Sequence, residues 1–226
     1  VGGGGGLIAV VGMVSEAKLL AGRDVRVIIG GGQARRLEAE LEAELAAGTA
    51  GVLSFGLCGA LDPVLGVADL VIASAVVTSQ SIPTDVAWTE RLSAALPEAK
   101  VGALAGRDEM AADVEAKAEL RRETGAAVVD MESHVVATLA RRHGVPFAVL
   151  RAVSDTAHHT LPEAARVGLR PDGKPDFLAV LRSLSAKPRQ LPALIRTGRD
   201  AGAAHGALSR ALRETGAQLG PQGGGL

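Results

Sequence analysis

The sequence predicts an α/β protein, a three-layer sandwich in which helices flank a mixed, mostly parallel central sheet. Three observations predict it. Short apolar runs rich in β-branched residues recur along the chain, as strands covered on both faces require. Segments with apolar residues on one helical face separate several of these runs. Turns such as His143-Gly144-Val145-Pro146 join a helix end directly to the next strand. Alternation of this kind builds strand–helix–strand units around a common sheet.

In chain order, strands are expected at Leu7–Val11, Val25–Ile29, Gly51–Phe55, Leu70–Val77, Val101–Leu104, Ala126–Val129 and Phe147–Ala152. Helices are expected at Gln33–Ala47, Val114–Glu123 and Glu132–His143, the last with Val135, Val136, Leu139 and Ala140 on one face. From about Leu161 the character changes. Asp176–Ser183 and Pro192–Thr215 read as helices rich in Arg and small apolar residues, either a cover on the sheet or a lid or membrane-surface element. No internal repeat or linker divides the chain. One domain is therefore expected, with a core over residues 7–157, a helical extension over 161–219 and glycine-rich tails (Gly2–Gly6 and Gly223–Gly225).

Composition excludes several function classes. A chain of 226 residues can bury a substantial core. Its net charge of −1 gives no electrostatic footprint for nucleic acid. With no Tyr, three Phe and one Trp, aromatic platforms for base stacking are poorly supplied. The lone Cys58 cannot form an internal disulfide, which points to a reducing cytoplasm. The opening VGGGGGLIAVVG lacks the positive flank and cleavage site of a signal peptide. No apolar run reaches the roughly 18 residues of a membrane span. His158 and His159 are adjacent, and His134, His143 and His205 are scattered, so no metal-ligand spacing is present and no metal is expected. No GxGxxG follows the first strand, which disfavours a nicotinamide oxidoreductase.

The run Val128–Asp155 carries the chemistry. It reads as buried strand, acidic turn, amphipathic helix, second buried strand, acidic turn. Each strand delivers a carboxylate, Glu132 and then Asp155, to its C-terminal end. In an open parallel sheet those ends share one edge, where such sheets bind ligands. Glu16, after the first strand, is a third carboxylate on the same edge. Carboxylates gathered in one cleft suit hydrolysis or transfer at a sugar carbon, where positive charge builds in the transition state. Each residue also has a plainer reading. Asp155 could cap a helix, Glu132 could sit in a first turn favoured by the helix dipole, and Glu16 could begin an exposed helix. Two glycine-rich stretches, Gly30–Gly32 and Gly56–Leu61, would let backbone N–H groups approach a ligand.

Over residues 7–157 the chain resembles the nucleoside phosphorylase/nucleosidase superfamily, which includes the methylthioadenosine/S-adenosylhomocysteine nucleosidases. The resemblance rests on IAVVGMVSEAKLL, GLCGALDPVLGVADLVIAS and VVDMES…VPFAVLRAVSD, which occur in the family's order. The stretch PDGKPDFLAVLRSLSAKPRQLPALIRTGRDAG is similar to the hopanoid-associated phosphorylases, which remove adenine from adenosylhopane. The resemblance implies a nucleoside phosphorylase-like fold and a catalytic Asp155 that protonates, or hydrogen-bonds to, the imidazole-ring nitrogen of the leaving purine. Glu132 would hold the ribose hydroxyls, with Met131 beneath the sugar. Glu16 would position or deprotonate the attacking water. Arg151 and Ser154 would orient the Asp155 loop, and the backbone around Cys58 and Gly59 would line the pocket. A homo-oligomer is also implied.

Two departures from the family pattern matter. Superfamily phosphorylases carry an Arg and a Ser around their glycine loop to bind phosphate, and Ser54 and Leu57 stand at the matching positions here. That favours water as nucleophile unless Gly31, with Arg35 or Arg36, supplies an anion site. Inorganic phosphate as co-substrate is the only cofactor-like requirement left open. The family's aromatic base-stacking residue is also missing. Glu109 and Met110 stand in that region, and a soft thioether can pack on a purine. The expected function is thus cleavage of the N-glycosidic bond of a purine nucleoside, adenosylhopane foremost. The rivals are a nucleosidase for soluble nucleosides and a catalytically silent nucleoside-binding protein. A lipid-linked substrate and Arg-rich C-terminal helices would add peripheral contact with a membrane.

Overall fold

A computed structural model of the chain describes residues 6–166, 172–174 and 176–221. The glycine-rich tails, apart from Gly6, lie outside the described residues.

Eight strands make up the sheet: β1 (Leu7–Val11), β2 (Val25–Ile29), β3 (Gly51–Ala60), β4 (Leu70–Val77), β5 (Ser81–Pro83), β6 (Lys100–Gly106), β7 (Val128–Asp130) and β8 (Phe147–Asp155). Among the described residues, eight α-helices accompany them: α1 (Val14–Leu19), α2 (Ala34–Ala47), α3 (Val86–Ala95), α4 (Val114–Thr124), α5 (Ser133–His143), α6 (Glu163–Arg166), α7 (Phe177–Ala186) and α8 (Leu191–Thr215).

Alternation along the strands sorts the core into two helix-covered layers. Ile8 and Val10 point to one face, where they meet Leu37, Leu41 and Leu45 of α2 and Val136 and Leu139 of α5. Leu7, Ala9 and Val11 point to the other, against Trp88 and Leu92 of α3 and Ala204, Leu208 and Leu212 of α8. Trp88 is fully buried and donates its indole N–H to the Leu219 carbonyl at 3.1 Å, fixing the chain end beyond α8.

The sheet is mixed, as the sequence suggests, but it is not open: part of it closes on itself. β1 runs parallel to β2 and β3, β3 to β8, and β6 to both β4 and β7. Antiparallel pairings of β8 with β4 and of β7 with the end of β3 then join these groups. The result is a ring of β3, β8, β4, β6 and β7. Closure explains why so short a strand as β7 is stable: it has a partner on each side.

Several elements differ from expectation. β3 continues past Phe55 to Ala60, because its glycine-rich end pairs with β8 on one side and β7 on the other. β8 likewise runs on to Asp155. Helices α1 and α3 and strand β5 were not expected, although Asp85 signals the start of α3 by accepting the Trp88 backbone N–H at 2.8 Å.

Candidate active site

Ring closure, rather than a shared parallel edge, brings the two strand-end carboxyls together. Gly59 near the end of β3 is the meeting point: it pairs with Val129 of β7 on one side and with Asp155 of β8 on the other. Glu132 follows three residues after Val129. The β3–β8 register passes from Cys58↔Val153 to Gly59↔Asp155, leaving Ser154 as the extra residue of a bulge. Such a bulge re-aims the side chain beside it, here Asp155. A Cβ on Gly59 would lie only 3.2 Å from Asp155 Oδ2, so glycine there lets the carboxyl fold close over β3.

Arg151 of β8 is the buried hub. Its guanidinium ion-pairs with Asp130 and lies 3.8 Å from Glu132 Oε2. It also donates to Ser54 Oγ at 2.6 Å, to Ser133 Oγ at 3.3 Å and to the Leu57 carbonyl at 3.4 Å. Asp130 in turn accepts the backbone N–H of Ser133 at 3.1 Å and its hydroxyl at 2.5 Å. The approach of Arg151 and Glu16 requires Gly56, whose φ is +147° and whose Cβ would come within 2.5 Å of Glu16 Oε1 and 2.8 Å of Arg151 Nη1.

Glu16 is not the exposed first-turn residue of its plainer reading. It is buried, and one oxygen accepts the backbone N–H groups of Gly12 at 2.7 Å and Met13 at 2.8 Å. The other accepts the Leu57 N–H at 2.7 Å. Burial raises its pKa despite these bonds and the nearby Arg151. Glu132, at the N-cap of α5, makes no capping bond. Burial pushes its carboxyl up to about 8, against the pull of Arg151, and the Asp130 and Glu16 carboxyls push the same way. The Gly32 backbone N–H bonds to it.

Asp155 is held on two sides. The ammonium of Lys117, on α4 and with no exposed side-chain surface, lies 2.5 Å from Oδ2, and the Ser154 hydroxyl lies 3.2 Å from Oδ1. Its plainer reading as a helix cap finds no support in the bonds it makes.

These groups line a cavity of about 830 Å³. Glu16, Glu132, Asp155, Met131, Ser154, Cys58, Gly59 and Met110 all border it. Arg151 stands behind the wall. Gly31 and Arg35 do not reach the cavity: Arg35 is exposed on α2, and the Gly30–Gly32 loop packs on Glu132 and Met131. A Cβ on Gly30 would lie 2.9 Å from Glu132 Cγ, so that loop is closed around a carboxyl rather than open to an anion. The lining also includes the apolar Val14, Leu161, Ala165 and Ala201, together with Ser15, Lys18, Lys174 and Thr197 of α8. Asp130, Ser133 and Lys117 were not singled out from sequence. Lys117 had a signal: it interrupts the stripe Val114–Lys117–Leu120, on the face where α4 is buried.

A mixed sheet enclosed by two helical layers, with carboxyls of β7, β8 and α1 turned into one cavity, defines the class of protein. The profile of the phosphorylase superfamily matches residues 9–186, and the chain belongs to that superfamily. No curated protein matches it in sequence. Among solved structures it is similar to the 5′-methylthioadenosine/S-adenosylhomocysteine nucleosidase of Colwellia psychrerythraea in complex with adenine, with a TM-score of 0.68 at 16% identity over 96% of each chain. It is also similar to the S-adenosylhomocysteine nucleosidase of Streptococcus pyogenes, with a TM-score of 0.60 at 17% identity over 88% of this chain and 98% of that one. The futalosine hydrolase of Helicobacter pylori gives a TM-score of 0.63 at 19% identity, over 93% of this chain and 98% of that one.

Proposed function

We propose that the protein hydrolyses the N-glycosidic bond of a purine nucleoside that carries a large apolar 5′ group, adenosylhopane being the foremost candidate. One observation carries this reading: Glu16, Glu132 and Asp155 border a single cavity. Superfamily membership and the adenine-bound structural neighbour support it.

The chemistry follows from charge. As the bond from C1′ to the base breaks, its electron pair leaves with the purine and the sugar becomes cationic. Glu132 hydrogen-bonds the ribose hydroxyls, and the positive charge that builds on the sugar favours its carboxylate over the neutral form it keeps in the empty site, which strengthens those contacts. A water oxygen bonds to C1′ and gives a proton to Glu16, whose carboxyl burial makes more basic than an ordinary one. Asp155 passes a proton to the imidazole nitrogen of the leaving base and regains one from solvent as Glu16 releases the proton it took. The sum is one water consumed, with its hydroxyl on the sugar and a proton on the purine.

Water is favoured over phosphate because the groups expected to hold an anion are otherwise engaged. The Ser54 hydroxyl meets Arg151 and Ser133, the Leu57 N–H serves Glu16, and Gly31 and Arg35 lie off the cavity. A cavity of about 830 Å³ bordered by Val14, Leu161, Ala165 and Ala201 leaves room for an apolar 5′ substituent larger than methylthio.

The test is adenine release from an adenosine bearing a long 5′ alkyl group, with and without phosphate. Release without phosphate is expected, and Asp155→Asn should lower kcat by about 10²–10⁴. No release, or an Asp155→Asn variant as active as the parent, overturns the reading. Strong preference for a soluble 5′-methylthio substrate would favour the rival nucleosidase.

Peripheral contact with an anionic membrane belongs to the same proposal. Residues 177–199 contain Arg182, Lys187, Arg189, Arg196 and Arg199 and no Asp or Glu. Leu178 and Leu181 of α7 and Leu191 and Ile195 of α8 are exposed among them. Apolar groups set among cations suit the surface of an anionic bilayer. Among the described residues, no helix is long and apolar enough to cross a membrane.

A further inference from the structure

One buried cation, Arg151, faces three buried carboxyls, Glu16, Asp130 and Glu132. Buried charges persist only where partners answer them, so three ionised carboxyls against one guanidinium would be costly. The bonds decide which carboxyl is left uncharged. Asp130 ion-pairs with Arg151 and accepts both the N–H and the hydroxyl of Ser133. Glu16 accepts three backbone N–H groups, from Gly12, Met13 and Leu57. Glu132 has the Gly32 N–H, and the Arg151 guanidinium lies 3.8 Å away, beyond hydrogen-bond reach. Other bonds of that guanidinium go to Ser54, Ser133 and the Leu57 carbonyl.

From this geometry we propose that Asp130 is a positioning residue. By claiming Arg151 it leaves Glu132 a neutral acid in the empty cavity, which sheds its proton when it meets a cationic sugar. The proposal rests on the reading of the cavity as a site of nucleoside cleavage. The charged groups that act on Glu132 are Arg151 of β8, Asp130 of β7 and Glu16 of α1. Asp130 therefore works in two ways, engaging the one cation and repelling a second negative charge. A neutral ribose gives Glu132 no charge to answer, and its proton stays. Positive charge at C1′ favours the carboxylate, and the proton passes to solvent. The attraction is thus reserved for the transition state, which is the condition for raising kcat. Without the Asp130 charge, Arg151 acts on Glu132 alone and ionises it before any ligand arrives.

The experiment is a calorimetric proton count on the intact chain. One ligand is an adenine-like base joined to a hydroxypyrrolidinium, cationic at the sugar position; the other is its uncharged cyclopentane counterpart. Titration in two buffers of different ionisation enthalpy gives the protons released on binding. At pH 7 the parent should release about one proton with the cation and much less with the neutral ligand. Its affinity for the cation should rise about tenfold from pH 6 to pH 7 and level off above about 8. Glu132→Gln should release none. Asp130→Asn and the smaller Asp130→Ser should release less than about half the parental count, and lower kcat about tenfold or more without raising KM. Asp130→Glu, which keeps the charge, should retain the release. A purely structural Asp130 would weaken both ligands alike and leave the count unchanged. A folded Asp130→Asn or Asp130→Ser with the parental count overturns the proposal. So does a parent that binds neither ligand or takes the cation without releasing a proton, or a Glu132→Gln that still releases one, whether or not the Asp130 variants fold. If the parent shows the Asp130-dependent release yet cleaves no nucleoside, the proposal stands and the proposed reaction falls.

Discussion

Glu132 couples the site to the stability of the fold. Burial holds its carboxyl at about 8, against an ordinary 4.5 in the unfolded chain, and Glu16 shifts in the same direction. Between those values the folded state keeps a proton that the unfolded state has released. Unfolding within that window therefore releases a proton, so raising the pH favours the unfolded form and stability falls. The contribution is complete below pH 4.5 and is lost as the pH passes about 8. The ligand-free protein should lose Tm steadily from pH 5 to pH 8, and Glu132→Gln should flatten that slope in a thermal melt. An unchanged slope would mean that Glu132 is ionised in the fold. At this scale the sequence was legible where a side chain stands at a recognisable turn. Asp155 and Glu132 follow buried strands, and Glu16 follows β1. Lys117 and Asp130 gave weaker signals: one lies within a charged helix and the other inside a strand, and only tertiary packing buries them together with Asp155 and Arg151.

Helix α8 does two jobs along its length. Its second half buries Ala204, Ala207, Leu208, Ala211 and Leu212 against the sheet, whereas Thr197 and Ala201 border the cavity and Leu191 and Ile195 are exposed. His205 Nε2 meets Ser15 Oγ at 3.0 Å, joining the middle of α8 to the turn that carries Glu16. If the exposed end with α7 rests on anionic lipid, the intact chain should float with vesicles containing phosphatidylserine and stay behind with neutral ones. Replacing Leu178, Leu181, Leu191 and Ile195 together with Ser should abolish flotation and leave turnover of a water-soluble nucleoside intact; failure of the parent to float ends the proposal. Periodicity found α2, α4, α5, α7 and α8 because each is long enough to display a face. It missed α1, of six residues, α6, of four, and β5, of three, because segments that short show barely one period, and it also missed α3, whose ten residues bury only Trp88 and Leu92. The end of β3 was read as a glycine loop because small residues weaken the strand signal, and two strand partners there outweigh that weakness.

At the scale of the molecule, the site is made where the ring closes. β3, β7 and β8 each contribute a wall, so a ligand binding there ties together parts of the sheet that are distant in sequence. Adenine at a hundred times its Kd should stabilise the fold by about 2.7 kcal/mol. For a chain of this size that corresponds to a rise in Tm of roughly 5–10 °C in a single transition. Two transitions, with only one moved by adenine, would show that the ring does not unfold as a unit. The two helix layers were legible from strand and helix periodicity, whereas the closure was not. It depends on antiparallel contacts between strand ends, Gly59 with Val129 and Leu70 with Ala152, which leave no periodic trace.

Because α8 is continuous from the exposed Leu191 and Ile195 through the cavity wall to the packing around Trp88, shortening the chain from its C-terminus would strip the core before it uncovered the cavity. Any evolutionary retuning of that wall must therefore come by exchanging side chains along the helix's first half, with its length left alone.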